Sequence, residues 1–231
     1  SQYWGRGETE PIRALFAIGL KLGLAVGILF TAAGLLFPRQ LVSLLTDKTA
    51  VIEQGTEYLK IVAWTFLLFS LSQTLLTSLR SIEATKVGPV MSLIALGVNV
   101  FLNYVLIFGH LGAAPMGVRG AALATLAGRF VELIVLAVYL FCFDKKLRLR
   151  PRDLLRLDRR YLKKYIRLVL PPMGSGVLWG VSMAAQTAIL GHLSEAAIAA
   201  NSVSGTIYQV VAQISNSAAN AASVVIGMTI G

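Results

Sequence analysis

Asn99 and Asn103 stand four residues apart in an apolar stretch, with Ser92 seven residues before them and His110 seven after. These offsets put all four on one helical face. A carboxamide offers a carbonyl oxygen with two lone pairs and two N–H donors, so such a face can ligate a hard cation or hydrogen-bond a carboxyl group. The next apolar stretch carries Thr125, Arg129 and Glu132 at spacings of four and three, again one face. An Arg or a Glu at mid-bilayer costs about 3 kcal/mol on insertion scales, so the pair needs a reason to be there. Either the two form a structural salt bridge or they take part in a proton or ion relay.

A third set is longer. Gln209, Gln213, Asn216 and Asn220 follow one another at offsets of 4, 7 and 11, with Tyr208 and Asn201 near the same side. Small residues flank them at Ala212, Ser215, Ser217 and Ala219. Shorter sets are Ser70, Gln73 and Thr77, and then Ser175, Trp179, Ser182 and Gln186. Each stripe is explained either by interhelical hydrogen bonds, worth well under about 2 kcal/mol apiece, or by a hydrated cavity. Interhelical bonding is the simpler account of the 70–77 set, with Gln73 its member for a cavity. Four amides in succession exceed what packing needs, so the 209–220 stripe predicts a cavity wall. Trp179, Ser182 and Gln186 are predicted to complete it, the indole offering its face to a cationic compound. Uncharged amides solvate many cations with less desolvation than a carboxylate.

Other chemistries find no residues. There is no phosphate-binding glycine loop, no metal-spaced His/Cys cluster and no Ser/His/Asp set that could meet. Gly-His-Leu occurs twice, at 109–111 and 191–193, but at two separate helix ends. The lone Cys142 reads as ordinary packing. No catalytic residue, resident metal or cofactor is predicted, and an enzyme is not expected.

The elements that must position these stripes are set by charge. Charged residues are 14% of 231 and hydrophobic ones 56%, with a mean hydropathy of +0.72. A soluble domain carries about 25% charged residues. Uncharged runs cover 22–38, 61–79, 87–118, 168–194 and 196–231, and 120–143 is broken only by Arg129 and Glu132. A bilayer core takes about 20 apolar residues as helix, because every backbone polar group must be satisfied without water. Six transmembrane helices are predicted, near 11–37, 50–82, 87–109, 118–142, 165–192 and 197–228. Turn residues separate them: Pro38, Asp47-Lys48, Gly88-Pro89, the stretch 112–117 around Pro115, and Gly191. No clean period of two supports a membrane β-barrel. The class is an all-α polytopic membrane protein.

Orientation follows from Lys and Arg. One side holds Arg6, Arg13, Arg80, Lys86 and eleven residues between Lys145 and Arg167, against Arg39, Lys48 and Arg119 on the other. The basic segment is therefore expected to be cytoplasmic, in a prokaryotic plasma membrane. Its concentrated charge, in a formal net charge of +10, points to an anionic inner leaflet and not to nucleic acid. Leu154, Leu157, Tyr161, Tyr165 and Val169 recur at helical spacing among its basic residues, which reads as an amphipathic helix running into the fifth span. Three parts follow: a first bundle over 1–143, a basic linker over 144–167 and a second bundle from 168 to 231. The start at Ser1 and the stop at Gly231 inside an apolar stretch suggest part of a longer protein, and residues 1–13 lack a signal peptide's apolar region.

Glu83-Ala84-Thr85-Lys86, then Pro89, then the run from Asn99 through Asn103 to Gly109, then Gly117-Val-Arg-Gly-Ala-Ala-Leu-Ala-Thr125 form a pattern. It resembles the multidrug and toxic compound extrusion (MATE) transporters. Residues 2–8 resemble the end of that family's second helix, and Leu193 to Asn201 its turn between helices seven and eight. The resemblance implies that the six spans are helices three to eight of a twelve-helix, two-bundle transporter. It implies an antiporter that expels organic, often cationic compounds by alternating access, driven by Na+ or H+. Asn99 matches an Asn implicated in a cation or proton site, Asn103 falls where relatives carry Asp or Asn, and Thr125 matches a Thr on the following helix. Arg129 and Glu132 join these as coupling candidates. Two features depart from the family: the acidic residue of its first helix lies outside this sequence, and no Glu stands near Gly176 or Gly180. A lipid-linked saccharide flippase of the same superfamily is the alternative, and a membrane enzyme or scaffold a weaker one. A flippase should have a more cationic cavity than Lys21, Lys60 and Arg129 provide. The protein is expected to act as a monomer.

Overall fold

The computed structural model describes residues 1–82, 84, 86–144, 159–193 and 195–230, without the side chains of 159 and 191–200. In chain order the helices are α1 (Gln2–Gly5), α2 (Thr9–Leu36), α3 (Pro38–Ser43), α4 (Thr49–Ser81), α5 (Val87–Phe108), α6 (Gly117–Val138), α7 (Arg159–Leu193) and α8 (Glu195–Ile230). A π-helical turn, Tyr139–Phe143, extends α6. Six of these are long, close to the spans expected from charge alone. Among the described residues five are long and apolar enough to cross a bilayer: α2, α4, α5, α6 with its extension, and α7 over Arg160–Leu190. The sixth, α8, carries the amide stripe, which lowers its hydropathy. The protein is an integral membrane protein.

Local chemistry sets the ends. Pro38 opens α3 at a first-turn position, where its missing N–H has no helical partner to lose. The sequence marks Pro38 only as a turn; a six-residue helix after a long one is too short to show a period. At the end of α5, Gly109 takes the left-handed conformation (φ 75°), which closes the helix without a Cβ clash. Pro171 and Pro172 lie inside α7, a position that removes backbone donors and bends helices.

Packing follows small residues. Gly19, Gly23 and Gly27 recur every four residues on α2 and meet Thr74, Ser70 and Leu67 of α4. A Cβ on Gly23 would stand 2.8 Å from the Thr74 hydroxyl oxygen. The Ser70 hydroxyl donates to the Gly23 carbonyl at 2.9 Å, and the Thr31 hydroxyl to the Ala63 carbonyl at 2.9 Å. In lipid, where apolar burial drives nothing, such close approach and interhelical hydrogen bonding hold helices together. The same device joins α5 to α6, where Gly120 sits on the Leu106 carbonyl. An apolar cluster of Ile12, Phe16, Leu75, Leu79, Met91 and Leu136 closes one end of the bundle. Much of α5's outer surface, including Leu93, Leu96, Val100 and Phe101, is exposed apolar side chain, as lipid contact requires.

The start of α7 docks on α1 and α2. Tyr161 meets Tyr3 edge-to-face at 6.5 Å, and the Lys164 ammonium donates to the Tyr3 hydroxyl at 3.1 Å. The Tyr165 hydroxyl lies against Gly19. So two residues of the predicted amphipathic stripe face protein; Leu154 and Leu157, with the rest of 145–158, lie outside the described residues. From residue 159 the helix is continuous into the fifth span, without a break at 167–168.

Candidate cation-binding cavity

Between α5 and α6 lies a cavity of about 300 Å³ lined by Ser92, Ala95, Leu96, Asn99, Thr125, Gly128, Arg129 and Glu132. The two stripes meet because Gly128 lets the helices close: a Cβ there would be 3.3 Å from the Asn99 Cβ. Asn99 thus stands across from Thr125, with the charged pair further along α6. Asn103 does not line the cavity but supports it. Its amide N–H donates to the Asn99 carbonyl oxygen at 3.0 Å, while its own carbonyl oxygen is buried without a hydrogen-bond partner.

The hydrogen bonds decide what the cavity presents. The Thr125 hydroxyl donates its one proton to the Ala121 carbonyl at 2.9 Å, leaving only acceptor lone pairs on its oxygen. The Asn99 carbonyl oxygen accepts one bond from Asn103 and keeps a second lone pair. Glu132 is only 4% exposed and accepts from the Arg129 guanidinium at 2.8 Å. Arg129 also lies 4.9 Å over the Phe69 ring of α4. Oxygen acceptors beside a buried carboxylate can take a hard cation or a proton. The salt bridge exists; it does not exclude a relay, since the same carboxylate borders the cavity.

The other predicted residues are dispersed. Gln73 and Thr77 line a second cavity of about 370 Å³ between α2, α4 and the start of α7, whereas Ser70 bonds to α2. On α8, Gln209 and Gln213 line an open groove with Thr206, Val210, Ile214 and Ser217. Asn216, Asn220 and Tyr208 are exposed beside it and do not line it. Neither do Trp179, Ser182 and Gln186: the Ser182 hydroxyl donates to the Leu178 carbonyl, and the Gln186 amide donates to the Asn201 side-chain oxygen at 3.1 Å. Helical periodicity sorts residues onto faces but says nothing about which faces meet, and α8 meets α7 near that bond.

Sequence reasoning missed Arg119 as a partner of Glu57. Its Nε and Nη2 donate to the two carboxylate oxygens at 2.9 and 2.5 Å, joining α6 to α4 across 62 residues of chain. Charge counting registers such residues only as topology signals.

Apolar helices packed through glycines beside a polar cavity define a polytopic membrane protein. The fold is that of a MATE transporter: a solved inward-facing multidrug resistance MATE family transporter of the MOP superfamily superposes with a TM-score of 0.69, at 24% identity, over 82% of this chain and 41% of that one. In sequence, residues 1–105 match the MatE family description. Curated relatives include a probable multidrug resistance protein NorM of Thermotoga maritima, 31% identical over 59% of this chain and 30% of that protein. A probable NorM of Streptococcus pneumoniae is 33% identical over 74% and 38% of the two chains. The probable multidrug resistance protein YoeA of Bacillus subtilis is 25% identical over 100% of this chain. The chain spans about half the length of YoeA.

Proposed function

We propose that this chain contributes to a secondary active antiporter that exports organic, chiefly cationic compounds in exchange for Na+ or H+ by alternating access. The observation that carries this reading is the acceptor-lined cavity of Asn99, Thr125 and Glu132 inside a MATE-like bundle. The names of the curated relatives support multidrug export. In this reading a Na+ or proton entering beside Glu132 competes with Arg129 for the carboxylate. The released guanidinium keeps the Phe69 face on α4, so ion binding on α6 is felt by a neighbouring helix. Residues 1–143 form part of one bundle, 144–167 a cytoplasmic linker on the anionic leaflet, and 168–231 the start of a second bundle. Arg129 is neutralised by Glu132, which favours the antiporter over a saccharide flippase needing a cationic cavity.

Two experiments on the full-length protein test this. Gln213→Leu, in the α8 groove, is expected to change resistance to some drugs more than others at equal protein level. An unchanged profile across chemically diverse drugs would assign the stripe to packing alone. A cysteine placed at Leu147 should resist an impermeant thiol reagent in intact cells until they are permeabilised. Labelling from outside would invert the topology.

A further inference from the structure

A third depression is chemically unlike the others. It is an apolar slot of about 650 Å³, lined by Trp64, Leu67 and Leu68 of α4, Leu102 and Leu106 of α5, and a row from Leu123 to Phe130 on α6. Its floor is α6, with α4 and α5 as walls. It has no part in the ion cavity.

What distinguishes the slot is the order of charge at its mouth. Along one face of α4, Glu53, Glu57, Lys60 and Trp64 follow at spacings of 4, 3 and 4, and all four are exposed. On α6, Arg119 precedes Leu123 by one turn, and its pairing with Glu57 holds the two helices together above the slot. Travelling inward from the helix end, a ligand meets carboxylate, then ammonium, then indole, then aliphatic surface. A zwitterionic aminophospholipid presents the matching sequence: an outermost ammonium, a phosphate beneath it, then acyl chains. We infer that this slot binds one phosphatidylethanolamine molecule. One acyl chain lies between α4 and α5, the phosphate is on Lys60, and the lipid ammonium faces Glu53. From Leu123 to Phe130 the slot runs about 10 Å along α6, room for the upper half of an acyl chain.

An anionic lipid would satisfy Lys60 but bring no ammonium to Glu53, while Glu57 is already held by Arg119. The preference for the zwitterion is therefore part of the inference, and it is independent of the ion cavity. The test is native mass spectrometry of the full-length protein in micelles supplemented with phosphatidylethanolamine or phosphatidylglycerol of identical chains. Phosphatidylethanolamine is expected to stay bound preferentially. Lys60→Gln should weaken its retention about tenfold, the loss expected for one charge-assisted hydrogen bond. Ala127→Trp, which fills the slot and leaves every charge in place, should abolish it, whereas Lys86→Gln at the other end of the bundle should not change it. Equal retention of the two lipids, or retention indifferent to both Lys60→Gln and Ala127→Trp, would overturn the assignment. So would a cysteine at Leu126 that cross-links to another helix of the full-length protein, because the slot would then hold protein.

Discussion

Asn99→Leu in the full-length protein is expected to reduce drug efflux to the background of cells lacking the transporter, at unchanged protein abundance. The isobutyl side chain is close in size to the carboxamide it replaces, so the bundle should still close around Gly128. What disappears is the acceptor facing Thr125 and the partner of the Asn103 amide. A cation losing an oxygen ligand in a confined site cannot recruit a neighbour to replace it. Asn99→Asp is the informative companion, since it keeps the oxygen and adds charge beside Glu132. It should retain efflux with an altered pH dependence. Normal efflux from Asn99→Leu would remove this cavity from the coupling mechanism.

Gly120→Ala is the smallest substitution expected to damage the fold. A Cβ there would lie 2.6 Å from the Leu106 carbonyl oxygen and 2.8 Å from its carbon, both backbone atoms that cannot rotate away. α5 must therefore move off α6, and overpacking of this kind costs about 1–3 kcal/mol. The expected result is a lower melting temperature in detergent together with reduced efflux, because the displaced helix carries Asn99. Gly97→Ala, on the same helix pair but with open space around it, should melt like the parent. Equal melting of the two variants would contradict the close α5–α6 contact.

The long helices were legible because membrane insertion leaves a coarse signal: charge is excluded over whole spans, as in 87–118, and turn residues collect between them. The facing of Asn99 and Thr125 also follows from simple rules, since adjacent spans joined by a short loop must lie side by side. Longer-range pairings were not legible. Gly19, Gly23 and Gly27 announce a close contact without naming α4 as the partner, and Glu57 and Arg119 are separated by two loops. For the same reason the sequence does not say how Trp179, Ser182 and Gln186 lie against the α8 amides; the described contact between the two sets of residues is the bond from Gln186 to Asn201. Each stripe was a property of one helix, and the meeting of two helices depends on packing that neither sequence encodes alone. α3 was hidden because six residues after a proline show no period.

Ion-coupled drug export can be read directly after reconstitution. Full-length protein in liposomes, oriented and loaded with a fluorescent organic cation, would be subjected in turn to an imposed Na+ gradient and an imposed proton gradient. Drug is expected to move against its own gradient with one of the two ions, an effect abolished by dissipating that ion gradient and absent in Asn99→Leu. Drug movement of equal rate with no ion gradient, or driven equally well in Asn99→Leu, would contradict it.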